Sequence, residues 1–362
     1  MTESLPARPW LAPFVPLYQM ALLAREMALR TGLEPVRRLR WPVVSIGNLS
    51  AGGSGKTPLA IALAKALAPR GLSVDVLSRG YGRLSRTALR VDSQGTAEEF
   101  GDEPLLIARE SGVPVFVADQ RYQAGLLAES IYFGKNALKE HGLNRAPQIN
   151  QTAGASAPAA EPARLHLLDD GFQHRRLHRD VDILLLEACD FLDWLLPAGN
   201  LREPARALHR AHVLAIPAEN PELEVELNKR GWQGPLWRLR RRMEVPPVDG
   251  PVVAFCGIAR PGQFFAGLEA AGMRLAARIA FPDHHRHTLA DLAHLASAAR
   301  SVNAAAFLTT AKDRVRLAAC EDQLAEVAPL QTVQLRIEIE KEDEAVSWLV
   351  EELKQPLGQP GR

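Results

Sequence analysis

From Trp41 onward, short apolar and β-branched runs alternate with stretches whose apolar positions recur at helical spacing, the pattern of a parallel sheet covered by helices. It predicts strands over Pro42–Ile46, Ser73–Leu77, Val113–Ala118, Leu165–Leu168, Val181–Leu186 and His212–Ile216, and helices over Lys56–Ala68, Glu103–Glu110 and Gln120–Ser130. A second series begins near Pro251, with strand Val252–Cys256, helix Pro261–Ala271, strand Leu275–Ala280, helix Leu289–Ser301 and strand Ala304–Thr309. A strand near Thr332–Ile337 and a helix over Glu342–Leu353 close it. Pro246, Pro247, Asp249, Gly250 and Pro251 punctuate the join. The expected organisation is α/β: an N-terminal region over 1–40, a larger domain over 41–240 and a smaller one over 241–362.

Two stretches depart from this rhythm. Residues 9–24 carry no charge, yet Pro9, Pro13 and Pro16 interrupt them, and sixteen positions are short for a bilayer span. Pro16 can open a helix whose polar stripe is Gln19, Glu26 and Arg30, trailed by Arg37, Arg38 and Arg40. Such a helix either lies in a membrane interface or packs on the protein's own body. Residues 144–163 hold seven Ala and three Pro with only Arg145 and Glu161 charged, and read as a mobile inserted loop.

Composition narrows the function classes. The 362 residues have 43 Lys and Arg against 42 Asp and Glu, so no domain-wide basic excess points to nucleic acid. The three cysteines, Cys189, Cys256 and Cys320, form no CxxC pair, which argues against a disulfide scaffold or zinc ribbon. A soluble enzyme fits best.

The run Val43-Val44-Ser45-Ile46-Gly47-Asn48-Leu49-Ser50-Ala51-Gly52-Gly53-Ser54-Gly55-Lys56-Thr57 takes an apolar strand into a glycine-rich loop and then a helix. Backbone N–H groups of Gly52, Gly53, Ser54 and Gly55 would converge on phosphate oxygens at a helix N-terminus. Lys56 would reach the β- and γ-phosphates and the Thr57 hydroxyl would hold Mg²⁺. Ser50 stands where the strict phosphate-loop pattern has its first Gly, so the loop is a variant. A metal-binding acid is expected at the end of another strand, and Leu165–Leu168 runs into Asp169 and Asp170; either is a candidate ligand.

Together these motifs resemble the tetraacyldisaccharide 4′-kinase family of the lipid A pathway. The resemblance rests on Gly47-Asn48 before the loop, Ser78-Arg79-Gly80-Tyr81-Gly82, Gly101-Asp102-Glu103-Pro104 and Asp169-Asp170-Gly171-Phe172-Gln173-His174. It extends through Leu196-Pro197-Ala198-Gly199, Leu201-Arg202-Glu203 and Phe281-Pro282-Asp283-His284-His285, in order. It implies two α/β/α lobes, the first P-loop NTPase-like, with the site between them. The implied reaction moves the γ-phosphate of ATP, with Mg²⁺, to the 4′-hydroxyl of an acylated glucosamine disaccharide 1-phosphate on the cytoplasmic face of the inner membrane. No obligate protein partner is implied. A membrane-seated acceptor favours the interfacial reading of the first helix.

Within that reading Asp102 is the expected base and His284 its partner, although an Asp followed by Glu103-Pro104 is equally a helix cap. Arg79, Arg121 and Arg202 suit anionic substrate groups, and Asn48, Tyr81, Glu103, Gln173 and His174 are candidate substrate contacts. Asp283-His284-His285-Arg286-His287 also resembles a metal cluster, but no distant carboxylate matches it, so His285 and His287 are expected at the surface. Arg238-Leu239-Arg240-Arg241-Arg242 either meets acidic headgroups or is a solvated strand edge. The rival class is a phosphate-loop NTPase switch. Ala51 stands where partitioning-type ATPases carry a lysine, and Thr310-Ala311-Lys312-Asp313 has the wrong spacing for a guanine reader.

Overall fold

The computed structural model describes residues 7–53, 55–133, 163–317 and 320–354; Ser54 and the Ala/Pro-rich insert as far as residue 162 lie outside them. The strands are β1 (Val43–Asn48), β2 (Ser73–Ser78), β3 (Leu89–Arg90), β4 (Val115–Val117), β5 (Arg164–Asp169), β6 (Val181–Leu185), β7 (Val213–Pro217), β8 (Leu236–Glu244), β9 (Pro251–Cys256), β10 (Arg274–Ala280), β11 (Ala306–Thr310) and β12 (Leu330–Ile339). The helices are α1 (Val15–Arg30), α2 (Lys56–Leu67), α3 (Ala97–Phe100), α4 (Asp102–Ser111), α5 (Arg121–Phe133), α6 (Pro221–Lys229), α7 (Pro261–Ala270), α8 (Leu289–Ser301), α9 (Ala311–Leu317), α10 (Glu321–Ala325) and α11 (Glu342–Lys354).

All the strands join one mixed sheet in the order β10-β9-β11-β12-β8-β7-β6-β1-β5-β2-β4-β3. Pairing is parallel except at β12–β8 and β4–β3. Every residue of β1 and β6 is buried, as expected of strands covered on both faces. β1 lies between β5 and β6, with Ile46 opposite Asp169, so the glycine loop and the paired acids leave the sheet side by side. Gly47 is required there: a Cβ would fall 2.4 Å from that of Phe172.

The two halves of the sheet meet through a ribbon of two strands. The first part of β8 runs parallel to β7, from Leu236 to Leu239, and its remainder runs antiparallel to β12, from Leu239 to Glu244. The early residues of β12, Leu330–Val333, instead pair with β11. The basic run of β8 is therefore no sheet edge. Arg238 meets Glu224, Arg240 meets Glu340, Arg241 meets Glu187 and Arg242 meets Glu338.

Packing does not follow chain order. Val252, Phe255, Leu268, Leu295 and Phe307 build cores confined to the second half. The last helix, α11, instead returns to the first: Ala345, Val346 and Leu349 share a core with Leu59, Leu63, Ile183 and Val213, as do Ile337 and Ile339. A domain drawn as 241–362 thus contains a closing segment that packs on the other lobe.

Helix α1 has two unlike faces. Val15, Tyr18 and Leu22 pack on a core around Leu49, Phe172 and Leu201. The Tyr18 hydroxyl donates to the Arg202 carbonyl at 2.9 Å, Arg25 donates to the Gln173 carbonyl, and Glu26 pairs with Arg175. Leu17, Met20, Leu23 and Met27 face outward, with Trp10 and Phe14 of the preceding turn, each more than half exposed. No helix among the described residues is long and apolar enough to cross a membrane.

Candidate active site

The phosphate loop runs from Asn48 to Lys56. Gly52 and Gly55 both take positive φ, 111° and 91°, which lets the backbone curl ahead of α2. The Lys56 ammonium donates to Asn48 Oδ1 at 2.9 Å and lies 3.4 Å from Asp170. Asn48 is locked in turn, donating to the Ser50 carbonyl while its own carbonyl accepts from Gln173 Nε2 at 2.8 Å. Thr57 is buried on the first turn of α2. Ala259 approaches the loop from the second lobe, 3.7 Å from where a Gly52 Cβ would stand. Arg260 beside it reaches back to Glu187, which also binds Arg241, so that carboxylate clasps the lobes together.

The two adjacent acids have different environments. Asp170, with φ of 50°, accepts two hydrogen bonds from Arg202 Nη1, at 2.9 and 3.1 Å. Burial would raise its pKa, but Lys56 and Arg202 prevail and hold it at about 2. Asp169 is buried; among the described residues it accepts only from the Ser78 hydroxyl, at 3.3 Å through Oδ2, and leaves Oδ1 without a hydrogen bond. Burial, reinforced by Glu103 and Asp170, pushes it up to about 7. Arg121 is buried beside them, pointing one nitrogen at the Asp170 carbonyl, 3.5 Å away.

The second cluster spans the lobes. Asp102 is the first residue of α4, and the cap position before it is Gly101, which has no side chain to cap the helix. The Oδ2 atom of Asp102 accepts from Arg316 Nε at 2.6 Å and lies 3.1 Å from His284 Nδ1. Burial works against the charge, yet His284 and Arg316 outweigh it and keep Asp102 below the usual carboxylate range. The hydrogen bond to Asp102 raises His284 in return. His284 has φ of 59° and stands 5.3 Å from the ring of exposed Tyr81. Glu103 pairs with Lys312 at 2.7 Å; Lys312 overcomes burial to hold Glu103 down. Lys56, Asp169 and Asp170 also lie within electrostatic reach of the Glu103–Lys312 pair, so the two clusters are neighbours.

Other expected residues divide. Arg79 is exposed next to the cleft and has no acidic partner among the described residues. His174 sits among arginines. Burial and the surrounding Arg121, Arg179, Arg25 and Arg176 push it down to about 3, leaving a neutral ring. His287, expected at the surface, has a side chain only 1% exposed. Lys312, Asp313 and Arg316 were not anticipated. They arise from the turn into α9, where Thr310 and Asp313 bond each other, Asp313 holds the Gly257 amide, and Arg316 braces Asp313 and Asp102. The signal available was the strand Ala306–Thr310 ending in a hydroxyl three residues before an acid, a helix-start signature.

An open, largely parallel sheet whose central strand feeds a glycine loop, a helix-opening Lys-Thr pair and neighbouring acids is the architecture of phosphate-loop nucleotide-binding proteins. The family model described as Tetraacyldisaccharide-1-P 4′-kinase matches residues 7–354. The tetraacyldisaccharide 4′-kinase of Koribacter versatilis is 37% identical over 357 residues, covering 96% of this chain and 99% of that protein. That of Aquifex aeolicus is 33% identical over 350 residues, covering 92% and 95%. The crystal structure of Aquifex aeolicus LpxK in complex with ATP superposes with a TM-score of 0.67 at 29% identity, over 95% of this chain and 98% of that one. The chain belongs to the tetraacyldisaccharide 4′-kinase family.

Proposed function

We propose that the chain transfers the γ-phosphoryl group of ATP to the 4′-hydroxyl of an acylated glucosamine disaccharide 1-phosphate. The observation that carries this reading is the junction of the two clusters. Asp102 and His284 meet across the lobes, and Glu103, next to Asp102 on α4, lies within electrostatic reach of the phosphate-loop Lys56 and of Asp170. A hydrolysing switch needs a phosphate loop but has no use for a carboxylate–imidazole pair held between two lobes.

In this reading the hydroxyl oxygen of the acceptor attacks the γ-phosphorus, the bond to the β,γ-bridging oxygen breaks, and ADP leaves. Asp102 takes the hydroxyl proton on Oδ1, the oxygen that accepts no hydrogen bond among the described residues, while His284 and Arg316 hold the carboxyl group by Oδ2. Lys56, Arg121 and Arg202 balance phosphate charge, and Arg79 and Tyr81 meet the acceptor at the rim. The site fits Mg²⁺: the Oδ1 atom of Asp169 is buried with no hydrogen bond among the described residues, and the proton that its raised pKa retains is one a cation displaces. Asp169 would be the direct ligand with Thr57, since Asp170 is engaged by Arg202 and Lys56. When bound, the ion neutralises charge on the phosphate oxygens.

The outward row on α1 supports a seat at the cytoplasmic face of the inner membrane, with Arg25 and Arg175 tying the helix to the body so that the cleft faces the acceptor's bilayer. The test is transfer of labelled γ-phosphate from Mg-ATP to the purified acylated disaccharide 1-phosphate in detergent micelles. Label in the lipid that vanishes with Lys56→Ala is expected. Label found only as free phosphate would mean a hydrolase.

A further inference from the structure

Behind the loop that carries His284, three side chains converge that phosphoryl transfer does not use. His285, His287 and Asp291 each offer one donor atom, and the three atoms lie within 4.8 Å of one another. His285 Nε2 is already 2.9 Å from Asp291 Oδ2. His287 is the telling member. Its side chain is 1% exposed, set edge-on to Phe255 and Phe281 at 5.8 and 4.9 Å, and among the described residues neither ring nitrogen makes a hydrogen bond. The nearest acid, Asp313, is 3.8 Å away and committed to the Gly257 amide and Arg316. A buried imidazole with two empty nitrogens, in an aromatic setting that would suit a phenylalanine, calls for a ligand.

We propose that His285, His287 and Asp291 form a binding site for a borderline-soft divalent cation of the zinc class. Two imidazoles and a carboxylate are the donor set such ions take, whereas Mg²⁺ and Ca²⁺ prefer oxygen throughout. The ligands are held from behind as metal ligands usually are. Phe281 stacks on His285 with ring planes 8° apart, and Asp291 accepts from the Thr288 amide and hydroxyl. Bonds of about 2.0–2.1 Å put tetrahedral donors about 3.3 Å apart, so side-chain rotation over roughly an ångström closes the cluster. The site differs in chemistry from the oxygen donors Thr57 and Asp169 of the phosphate loop. It stands one residue from His284, and a bound ion would fix the loop Phe281–Thr288 to the first turn of α8.

The test uses the full chain and Zn²⁺ alone as probe, in excess Mg²⁺ to occupy the oxygen site. After gel filtration, retained zinc is counted by elemental analysis for wild type, His287→Phe, Asp291→Asn and His285→Gln, and Co²⁺ spectra are recorded for each. Wild type should keep one equivalent more than each variant and give the intense visible bands of tetrahedral Co²⁺. Equal zinc on wild type and variants, or only the weak octahedral spectrum, overturns the proposal. Should His287→Phe fail to fold by circular dichroism, Asp291→Asn and His285→Gln decide, since both alter partly exposed groups.

Discussion

Asp102 divides its two oxygens between different tasks. Oδ2 is held by His284 and Arg316 from the second lobe, and Oδ1 accepts no hydrogen bond among the described residues. Replacing it with Asn keeps the shape and removes the basicity. Asp102→Asn should lower kcat by about 10²–10⁴-fold with little change in the KM for ATP, measured by steady-state transfer to lipid. Arg316 acts at one remove, as a positioning residue. It helps hold Asp102 below its ordinary pKa, so Arg316→Gln should let that pKa rise and move the acid limb of the pH–rate profile to higher pH. An unmoved limb would separate Arg316 from Asp102. Asp102, His284, Lys56 and the paired acids were legible because each stands in a compact motif. Arg316 was not, because 214 residues separate it from its partner and nothing local records the contact. His287 misled for a related reason: a string of polar residues reads as solvated until Phe255 and Phe281 are seen to enclose it.

Among elements, β5 is tied to its neighbours by charge as well as by its ladder. His166 is fully buried, 2.6 Å from Asp75 of β2 and 3.6 Å from Glu129 of α5, and Glu129 also receives the Arg40 and Trp41 amides. Burial disfavours the charged ring, but Asp75 and Glu129 prevail and raise it from 6.5 to about 9. The bonus from this raised pKa is therefore complete below about pH 6.5 and is lost as pH climbs through about 9. It amounts to at most about 3 kcal/mol. Urea unfolding of the wild type at pH 6 and at pH 9.5 should show that loss, and Asp75→Asn should flatten it. Most strands were readable from apolar runs alone. β8 and the two-residue β3 were the exceptions; in β8, four arginines hide an alternation in which Trp237 and Leu239 point inward and the acids that pair with Arg238, Arg240 and Arg242 come from other elements.

For the molecule as a whole, the first helix packs on the body with one face, as one of its two readings expects, and leaves an apolar row exposed on the other. Tyr18, Arg25 and Glu26 dock inward while Leu17, Met20 and Leu23 point out. The triple change Leu17→Glu, Met20→Glu, Leu23→Glu should abolish recovery on anionic vesicles in a sedimentation assay. It should leave the melting temperature nearly unchanged, because exposed positions carry little stability. Vesicle binding equal to wild type would make the outward row incidental.

The return of α11 to the first lobe also sets an order in time. A ribosome releases residues from the amino end, so when β7 has emerged the face of α2 still lacks Ile337, Ile339, Val346 and Leu349. The cores around Val252–Val333 draw on a contiguous stretch of chain and can close first. The lobe made earliest is thus the last to be finished. Synthesis halted after β11 would leave a nucleotide-binding sheet with one apolar flank open, a species marked for chaperones or proteases rather than for catalysis.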